Sequence, residues 1–417
     1  MDRRPRSQRT PLAAGLLAAL LLAAPAASRV ELTHAPTEDL LLAIHDLAGG
    51  EGGAERWRVA LGSTAGGPAR TLAAGFDPAW SPDGTRIAFA AVPSGMKRGE
   101  IYVMLADGTQ RRRLTRTPPS DRVPTWSPNG KALAFLSGGR LAIISSTGGE
   151  LRYLSGETPA EAAWSPKGDM IAFTTGEQGD RDIVVSRVDG SARTVLPDPA
   201  VSGASWHEET PRWSPDGTLI AFGRRYQSVG HGADVGGLWV ASPDGANARS
   251  LIEWGACCPR WSASGREFLV VAEERACVRT YCVPAPADIG VIAVNGTGMR
   301  LLTGDVARDK GPSWSKGERH VVFVSERSRR LDPLPHDDAY VMNADGTCQT
   351  RVTRASYHSS VAAATLRPGR SVNGGRRLSC VDLGLAASWP AVVPSGALLF
   401  DLSFDFQTEG QFFGWYS

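Results

Sequence analysis

The chain has 417 residues, 42% of them apolar and 21% charged, with a formal net charge of +2 at neutral pH. These proportions suit a folded chain and exclude a disordered one, and so even a balance supplies no general field for nucleic acid or anionic lipid. Gly (47) and Pro (28) are plentiful while helix-forming runs are scarce, which points to many short strands and tight turns.

The first element is not part of the fold. Arg3, Arg4, Arg6 and Arg9 precede a Leu/Ala run from Pro11 to Ala24, and Ala24-Pro25-Ala26 offers small residues for cleavage. A basic, then apolar, then small-residue order reads as an export signal over residues 1–26. The alternative is a retained membrane anchor, for which the apolar run is short. Arg3-Arg4 suggests the twin-arginine route only weakly, because Pro5 and Arg6 follow. Residues 1–26 hold four Arg and one Asp, so removing them takes the charge from +2 to −1. The mature chain is therefore expected outside the cytoplasm, periplasmic or extracellular, with no nucleic-acid partner and no membrane span.

Three strands follow: "LLLAI" near residue 40, "RWRVAL" at 56–61 and "ARTLA" at 69–73. Then comes "PAWSPDGTRIAF" (78–89), which recurs in altered form five more times: "PTWSPNGKALAF", "AAWSPKGDMIAF", "PRWSPDGTLIAF", "PRWSASGREFLV" and "PSWSKGERHVVF". The tryptophans Trp80, Trp126, Trp164, Trp213, Trp261 and Trp314 are 46, 38, 49, 48 and 53 residues apart. Self-similarity at that period marks a repeat architecture. Within one unit, "PAWS" is a strand, "PDG" turns it and "TRIAFAA" returns. "IYVMLADG" and "TQRRRLT" then supply two more strands. Asp-Gly and Asn-Gly suit the positive φ of two-residue hairpin turns, and they recur at the second turn, as in Asp107-Gly108 and Asp345-Gly346. Each unit is a four-stranded antiparallel meander.

The return strands alternate bulky and small residues. Ile87 and Phe89 point one way and Ala88 the other, so consecutive sheets can stack large face on small face. Sheets covered on both faces describe a β-propeller, an all-β fold. The six tryptophans are then structural, packed between blades beside the turn.

The combination of "WSPDGxxIAF" with "IYVMxADGTxxxRLT" resembles the repeat of TolB-type propellers, and is similar to the propellers of prolyl-oligopeptidase-like peptidases. The resemblance implies a propeller over roughly residues 78–353 and, for the Tol component itself, six blades behind a small α/β domain. Too few residues precede the first strand for that domain. No Gly-x-Ser-x-Gly elbow is present, "LGSTAGG" (61–67) having the wrong spacing, and about sixty residues after Thr353 are too few for a hydrolase domain.

Blade number is open between six and seven, with strand count favouring seven. The propeller is taken as residues 27–353, "RPGRSVNGGRRLS" falls in a linker over 354–380, and 381–417 holds closing strands. "VVPSGALLF" (392–400) looks like a decayed repeat and could join the three N-terminal strands to clasp the ring.

The six cysteines Cys257, Cys258, Cys277, Cys282, Cys348 and Cys380 are even in number, which in an exported chain suggests disulfides. Cys277 and Cys282 flank "VRTY" as if pinning a hairpin loop, and Cys257 or Cys258 could reach either. Cys348 and Cys380 could tie the tail back. Buried thiols are an alternative, and zinc on the four clustered cysteines is a further one, although adjacent Cys257-Cys258 do not match zinc-ribbon spacing. The histidines show no ligand spacing, and His336, Asp337 and Asp338 read as solvated loop residues. No catalytic, cofactor or metal residue is assigned. The expected function is an exported, non-catalytic binding or scaffolding propeller, monomeric, that offers the rim loops 226–236 and 327–338 to an envelope protein, peptide or glycan. The alternative is a lyase or hydrolase with a site in the central channel.

Overall fold

Each WSPDG-like segment closes one strand and starts its return, so every repeat folds into its own sheet. A computed structural model describes residues 38–46, 56–154, 159–177, 180–197, 205–227, 234–253, 255–278, 281–304, 307–327, 336–353 and 359–368, together with 372 and 377–378. Among them there is no α-helix, and none long and apolar enough to cross a membrane.

Six meanders follow the six tryptophans. Blade 2 comprises Phe76–Trp80, Arg86–Ala91, Glu100–Leu105 and Arg112–Arg113. Blade 3 runs from Asp121–Trp126 to Arg152–Tyr153, and blade 4 from Ala162–Trp164 to Arg193–Val195. Blade 5 runs from Ser205–Trp213 to Arg249–Ile252, blade 6 from Ala256–Trp261 to Arg300–Leu301, and blade 7 from Asp309–Trp314 to Thr350–Arg351. Blades 4 and 5 touch through one parallel pairing, Arg181 with His207. Register is conserved from blade to blade: Trp80 stands opposite Ile87, Trp126 opposite Leu133, Trp213 opposite Ile220 and Trp314 opposite Val321.

Blade 1 is mixed, as the strand count suggested, but its fourth strand is not the expected one. Ser359–Leu366 pairs antiparallel with Glu38–Asp46, which continues to Arg56–Ser63 and Arg70–Ala74. This strand lies inside the stretch 354–380 that reads as a linker, so the propeller extends beyond 353. Leu366 stands opposite Leu40, at the register place that tryptophan holds elsewhere, and Arg367-Pro368 follow as Ser-Pro does after Trp80. The strand escapes sequence reading because "SSVAAATL" lacks the tryptophan and the bulky return residues. "VVPSGALLF", the rest of 381–417 and the export segment 1–26 lie outside the described residues.

Seven apolar clusters fill seven interblade spaces and so close the ring. Leu41, Val59 and Leu61 of blade 1 meet Trp80, Ile87 and Phe89 of blade 2. On blade 2's other face, Ala88, Ala90, Ile101 and Val103 meet Trp126, Leu133 and Phe135 of blade 3. The bulky face thus looks back and the small face forward, as the alternation predicts. The same arrangement joins blades 3 to 4, 4 to 5 and 5 to 6, while from blade 6 to 7 the forward face carries Leu269 and Val271 where the others place alanine first. In the last space Val322, Val324 and Val341 of blade 7 pack on Leu40, Leu42, Val361 and Leu366 of blade 1.

The tryptophans add a polar link to this packing. The indole Nε1–H of Trp126 donates to the Ala79 carbonyl at 3.1 Å, Trp164 to Thr125 at 3.3 Å, Trp213 to Ala163 at 3.0 Å and Trp261 to Arg212 at 2.9 Å. Each acceptor sits just before the preceding blade's own tryptophan. The first turn has four loop residues rather than two: Ser81 N–H donates to the Arg86 carbonyl across Pro82–Thr85, and Gly84 alone takes positive φ (66°). Asp83 caps it, accepting from Ser81 Oγ at 2.5 Å and Thr85 N at 3.0 Å, which holds its carboxyl down at about 2.

The "RLT" ending has its own role. Thr115 Oγ1 accepts from Ile101 N and donates to Glu100; Thr303 does so with Ile289 and Asp288, and Thr353 with Ala339 and Asp338. A buried carboxylate on the third strand, Glu100, Asp288 or Asp338, thereby pins the outermost strand.

Candidate functional site

From blade 2 through blade 7 and on to blade 1, the first strands of successive blades contact one another, so they form the inner wall. Five carry the same irregularity. Asp77-Pro78, Val123-Pro124, Thr210-Pro211, Cys258-Pro259 and Gly311-Pro312 each fall where the register slips, two residues facing one. The residue before each proline has positive φ: 50°, 52°, 53°, 61° and 60° in that order. Proline's predecessor normally prefers extended backbone, and a non-glycine residue held at positive φ costs about 1–3 kcal/mol. Bulges re-aim side chains and favour sites of function, and here they do so on one wall.

Charge gathers on that wall at blades 4 to 6. Arg212 and Arg260 occupy the same repeat place, just before the tryptophan, where other blades carry Ala79, Thr125, Ala163 and Ser313. Each guanidinium donates to the carbonyl of its own preceding proline, at 2.8 Å for Arg212 and 3.2 Å for Arg260. Arg212 also meets Glu161 of blade 4 at 3.4 Å. The neighbouring Arg212 charge, with burial second, pushes Arg260 down to about 9; Glu161 opposes this. Arg260 remains cationic at neutral pH, and among the described residues no carboxylate lies within ion-pair distance of it. Further round the wall, burial pushes the Asp77 carboxyl up, opposed by the Val123 N–H that it accepts at 3.1 Å and by Arg122.

Next to the arginines, at the bulge of blade 6, Cys257 and Cys258 are bonded to each other. This corrects the expectation that either would reach Cys277 or Cys282, because neighbours in sequence on one bulge are closer than any other strand. Cys277 and Cys282 stand opposite each other in the long hairpin Glu267–Val278 and Tyr281–Ala293. Cys348 is disulfide-bonded, and Cys380 lies outside the described residues. Glu209 of blade 5 brings its carboxylate to the cysteine pair, all three donor atoms within 4.8 Å of one another, and accepts from Arg225 Nε at 2.7 Å.

A second ion pair, one residue along, is structural. Glu208 and Arg224 are fully buried, Arg224 Nε donating to Glu208 at 2.7 Å. Glu208 also accepts from Ile183 N of blade 4 at 2.8 Å, and Arg224 reaches the Pro197 carbonyl at 3.0 Å. His336, Asp337 and Asp338 are buried rather than solvated. Asp338 pairs with Arg351 at 2.5 Å and Asp337 with Lys310 at 2.7 Å, so the cations near these acids are the chain's own.

The blade 5 rim connection is shorter than the sequence suggests, because strand pairing runs out to Gln227 opposite Asp234, whereas in blade 7 residues 326–337 join His320–Ser325 to Asp338–Asn343; 228–233 and 328–335 lie outside the described residues. The six tryptophans do pack between blades. Arg212, Arg260 and Glu209 were not singled out in the sequence; the one signal was a charged residue at a repeat place otherwise held by Ala, Thr or Ser.

Comparison with known proteins agrees with this architecture. The family described as TolB beta propeller domain matches residues 69–264. A TolB homolog of Chlorobium luteolum is 33% identical over 144 residues, covering 33% of this chain and 31% of that protein, so the shared stretch spans under a third of the relative. Among solved structures, TolB from Acinetobacter baumannii is 14% identical with a TM-score of 0.44, covering 74% of this chain and 80% of that one. An oligogalacturonate lyase from Vibrio parahaemolyticus is 11% identical with a TM-score of 0.51, covering 76% and 87%; at that identity the likeness is one of fold. The repeat sequence, the four-stranded blades and the family match show a β-propeller whose residues 69–264 carry TolB-type repeats.

Proposed function

We propose that the chain is an exported, non-catalytic binding propeller of the cell envelope that holds a protein or peptide partner by an acidic group at the inner wall of blades 4 to 6. The observation that carries this reading is the Arg212–Arg260 pair, two cations side by side with Glu161 as the nearest acid. Like charges crowded in a partly dry site raise the folded state's energy, and an incoming carboxylate offsets that cost while gaining charge-assisted, bidentate hydrogen bonds. A uronic acid offers the same group, so an acidic glycan is the second partner class. A Gluconobacter oxydans relative named Tol-Pal system protein TolB, 34% identical over 102 residues, supports the envelope setting.

The test is cross-linking in the envelope followed by identification of the retained protein, repeated with the R212A/R260A variant. Retention should fall on the order of tenfold or more, as for loss of a charged anchor, while far-UV circular dichroism stays unchanged. Unchanged retention, or saturable turnover of a peptide or polyuronide that the double variant loses, overturns the reading.

A further inference from the structure

Three soft or anionic donors converge on the inner wall and the binding reading does not use them. Cys257 is buried, Cys258 is half-buried at the bulge, and the Glu209 carboxylate faces them from the next blade. Room has been left at this spot. Gly223 holds a place in the second strand that Ala90, Leu136, Thr174, Val271 and Val324 hold in blades 2, 3, 4, 6 and 7. A Cβ there would stand 3.1 Å from Glu209 Cγ and 3.7 Å from Cys257 Cβ, so any larger residue would crowd the carboxylate and displace it from its place beside the cysteine pair. Glycine at this place clears the space beside the carboxylate and the cysteine pair.

We propose that Cys257, Cys258 and Glu209 form a redox-gated site for a thiophilic divalent cation of the zinc class. In the disulfide form the sulfurs are bonded to each other and offer no thiolate. A dithiol reductant supplies two electrons and two protons, cleaves the S–S bond and leaves two thiols, itself becoming a disulfide. Cation binding then displaces the two thiol protons and forms two metal–sulfur bonds and one metal–carboxylate bond. Zinc–sulfur distances near 2.3 Å and zinc–oxygen distances near 2.1 Å put tetrahedral donors about 3.5–3.8 Å apart. Donors already within 4.8 Å need only small side-chain rotations to reach that spacing. Two thiolates and a carboxylate around a divalent ion leave one net negative charge, and Arg225, bonded to Glu209, stands ready to balance it. The fourth position stays open to water or to a donor from a bound partner.

Cobalt(II) is the probe, because thiolate ligation gives it a near-ultraviolet charge-transfer band. The full chain, reduced with a phosphine that is then removed, should bind one equivalent with that band; the oxidised chain should show none. The band should survive in C277S/C282S and disappear in C257S/C258S. E209Q and Gly223→Ala should each weaken binding on the order of tenfold or more, with thermal melts verifying that both fold. Peptide mapping of the unreduced protein should recover the bond between Cys257 and Cys258. A band that persists in C257S/C258S, equal binding by oxidised protein, absence of saturable binding after reduction, or mapping of Cys257 to another cysteine would each overturn the proposal.

Discussion

Replacing Trp213 by Ala tests whether the indoles hold the blades together. Trp213 is 9% exposed and packs with Ala172, Ile183, Val185 and Leu196 of blade 4 and with Ile220 and Phe222 of its own blade. Truncating a buried aromatic to alanine costs about 3–5 kcal/mol. The Nε1–H bond to the Ala163 carbonyl, worth about 1 kcal/mol net, lies within that range. Trp213→Phe keeps most of the apolar volume and loses the bond, so it should cost about 1–2 kcal/mol. Urea unfolding followed by circular dichroism measures both, with Val195→Ala, exposed by 48%, as the null control. Against a total stability of about 5–15 kcal/mol the first loss is easily seen. A Trp213→Ala protein within about 0.5 kcal/mol of the parent would refute the interblade role of the tryptophans.

Glu208→Ala leaves Arg224 charged and buried without its carboxylate, so stability should drop about 3–5 kcal/mol; a melt like the parent's would show that the pair is dispensable. Ending the chain before Ser359 removes the strand that carries Val361, Ala364 and Leu366 into the space between blades 1 and 7, and hydrogen exchange should rise first in Glu38–Asp46 and His320–Ser325. Protection unchanged there would assign ring closure to another segment. The turn acids Asp83, Asp107, Asp189, Asp216 and Asp345 are all held below their ordinary value of 3.8, mainly by Ser or Thr hydroxyls and the local N–H groups. A depressed carboxyl contributes stability above its unfolded value and loses it as pH falls through its folded value. Acid unfolding monitored by circular dichroism should therefore set in between about pH 4 and pH 2, and D83N/D216N should flatten that dependence.

The fold was legible because each level of the sequence repeats the same instruction. Glycine at the turn and a tryptophan at fixed register recur in all six units, and the alternation of "RIAF" in four of them. Ring closure was not legible, because Ser359–Leu366 keeps only the pairing role and shares no residue with the repeat's signature, while "VVPSGALLF" imitates that signature. The inner wall was only half visible. "PRW" in blades 5 and 6 looks like ordinary strand ends until the register shows that Arg212 and Arg260 hold equivalent places in adjacent blades. Cys257 and Cys258 were visible as residues, but their partnership depends on a bulge that proline and positive φ create. His336, Asp337 and Asp338 looked solvated because their countercharges, Arg351 and Lys310, come from other strands.

The Xaa-Pro bulges on the inner wall also decide what the ring can refuse. Apart from the single bridge of His207 to Arg181 in blade 5, the described first strands pair along one side, and the other edge, turned to the centre, would offer unsatisfied N–H and C=O groups to any extended chain that entered. Proline takes away one donor and the bulge rotates the next peptide out of line, so in blades 2, 3, 5, 6 and 7 that edge is broken midway. Blade 4 has no proline there, and its first strand is only three residues long. In blade 1 the strand Ser359–Leu366 is interrupted by a bulge at Ala362 rather than by proline, so among the described first strands an intruding peptide finds no unbroken ladder to extend. Whatever binds in the centre must be recognised by side chains, and the same fractures guard neighbouring molecules against strand-by-strand association through their open cores.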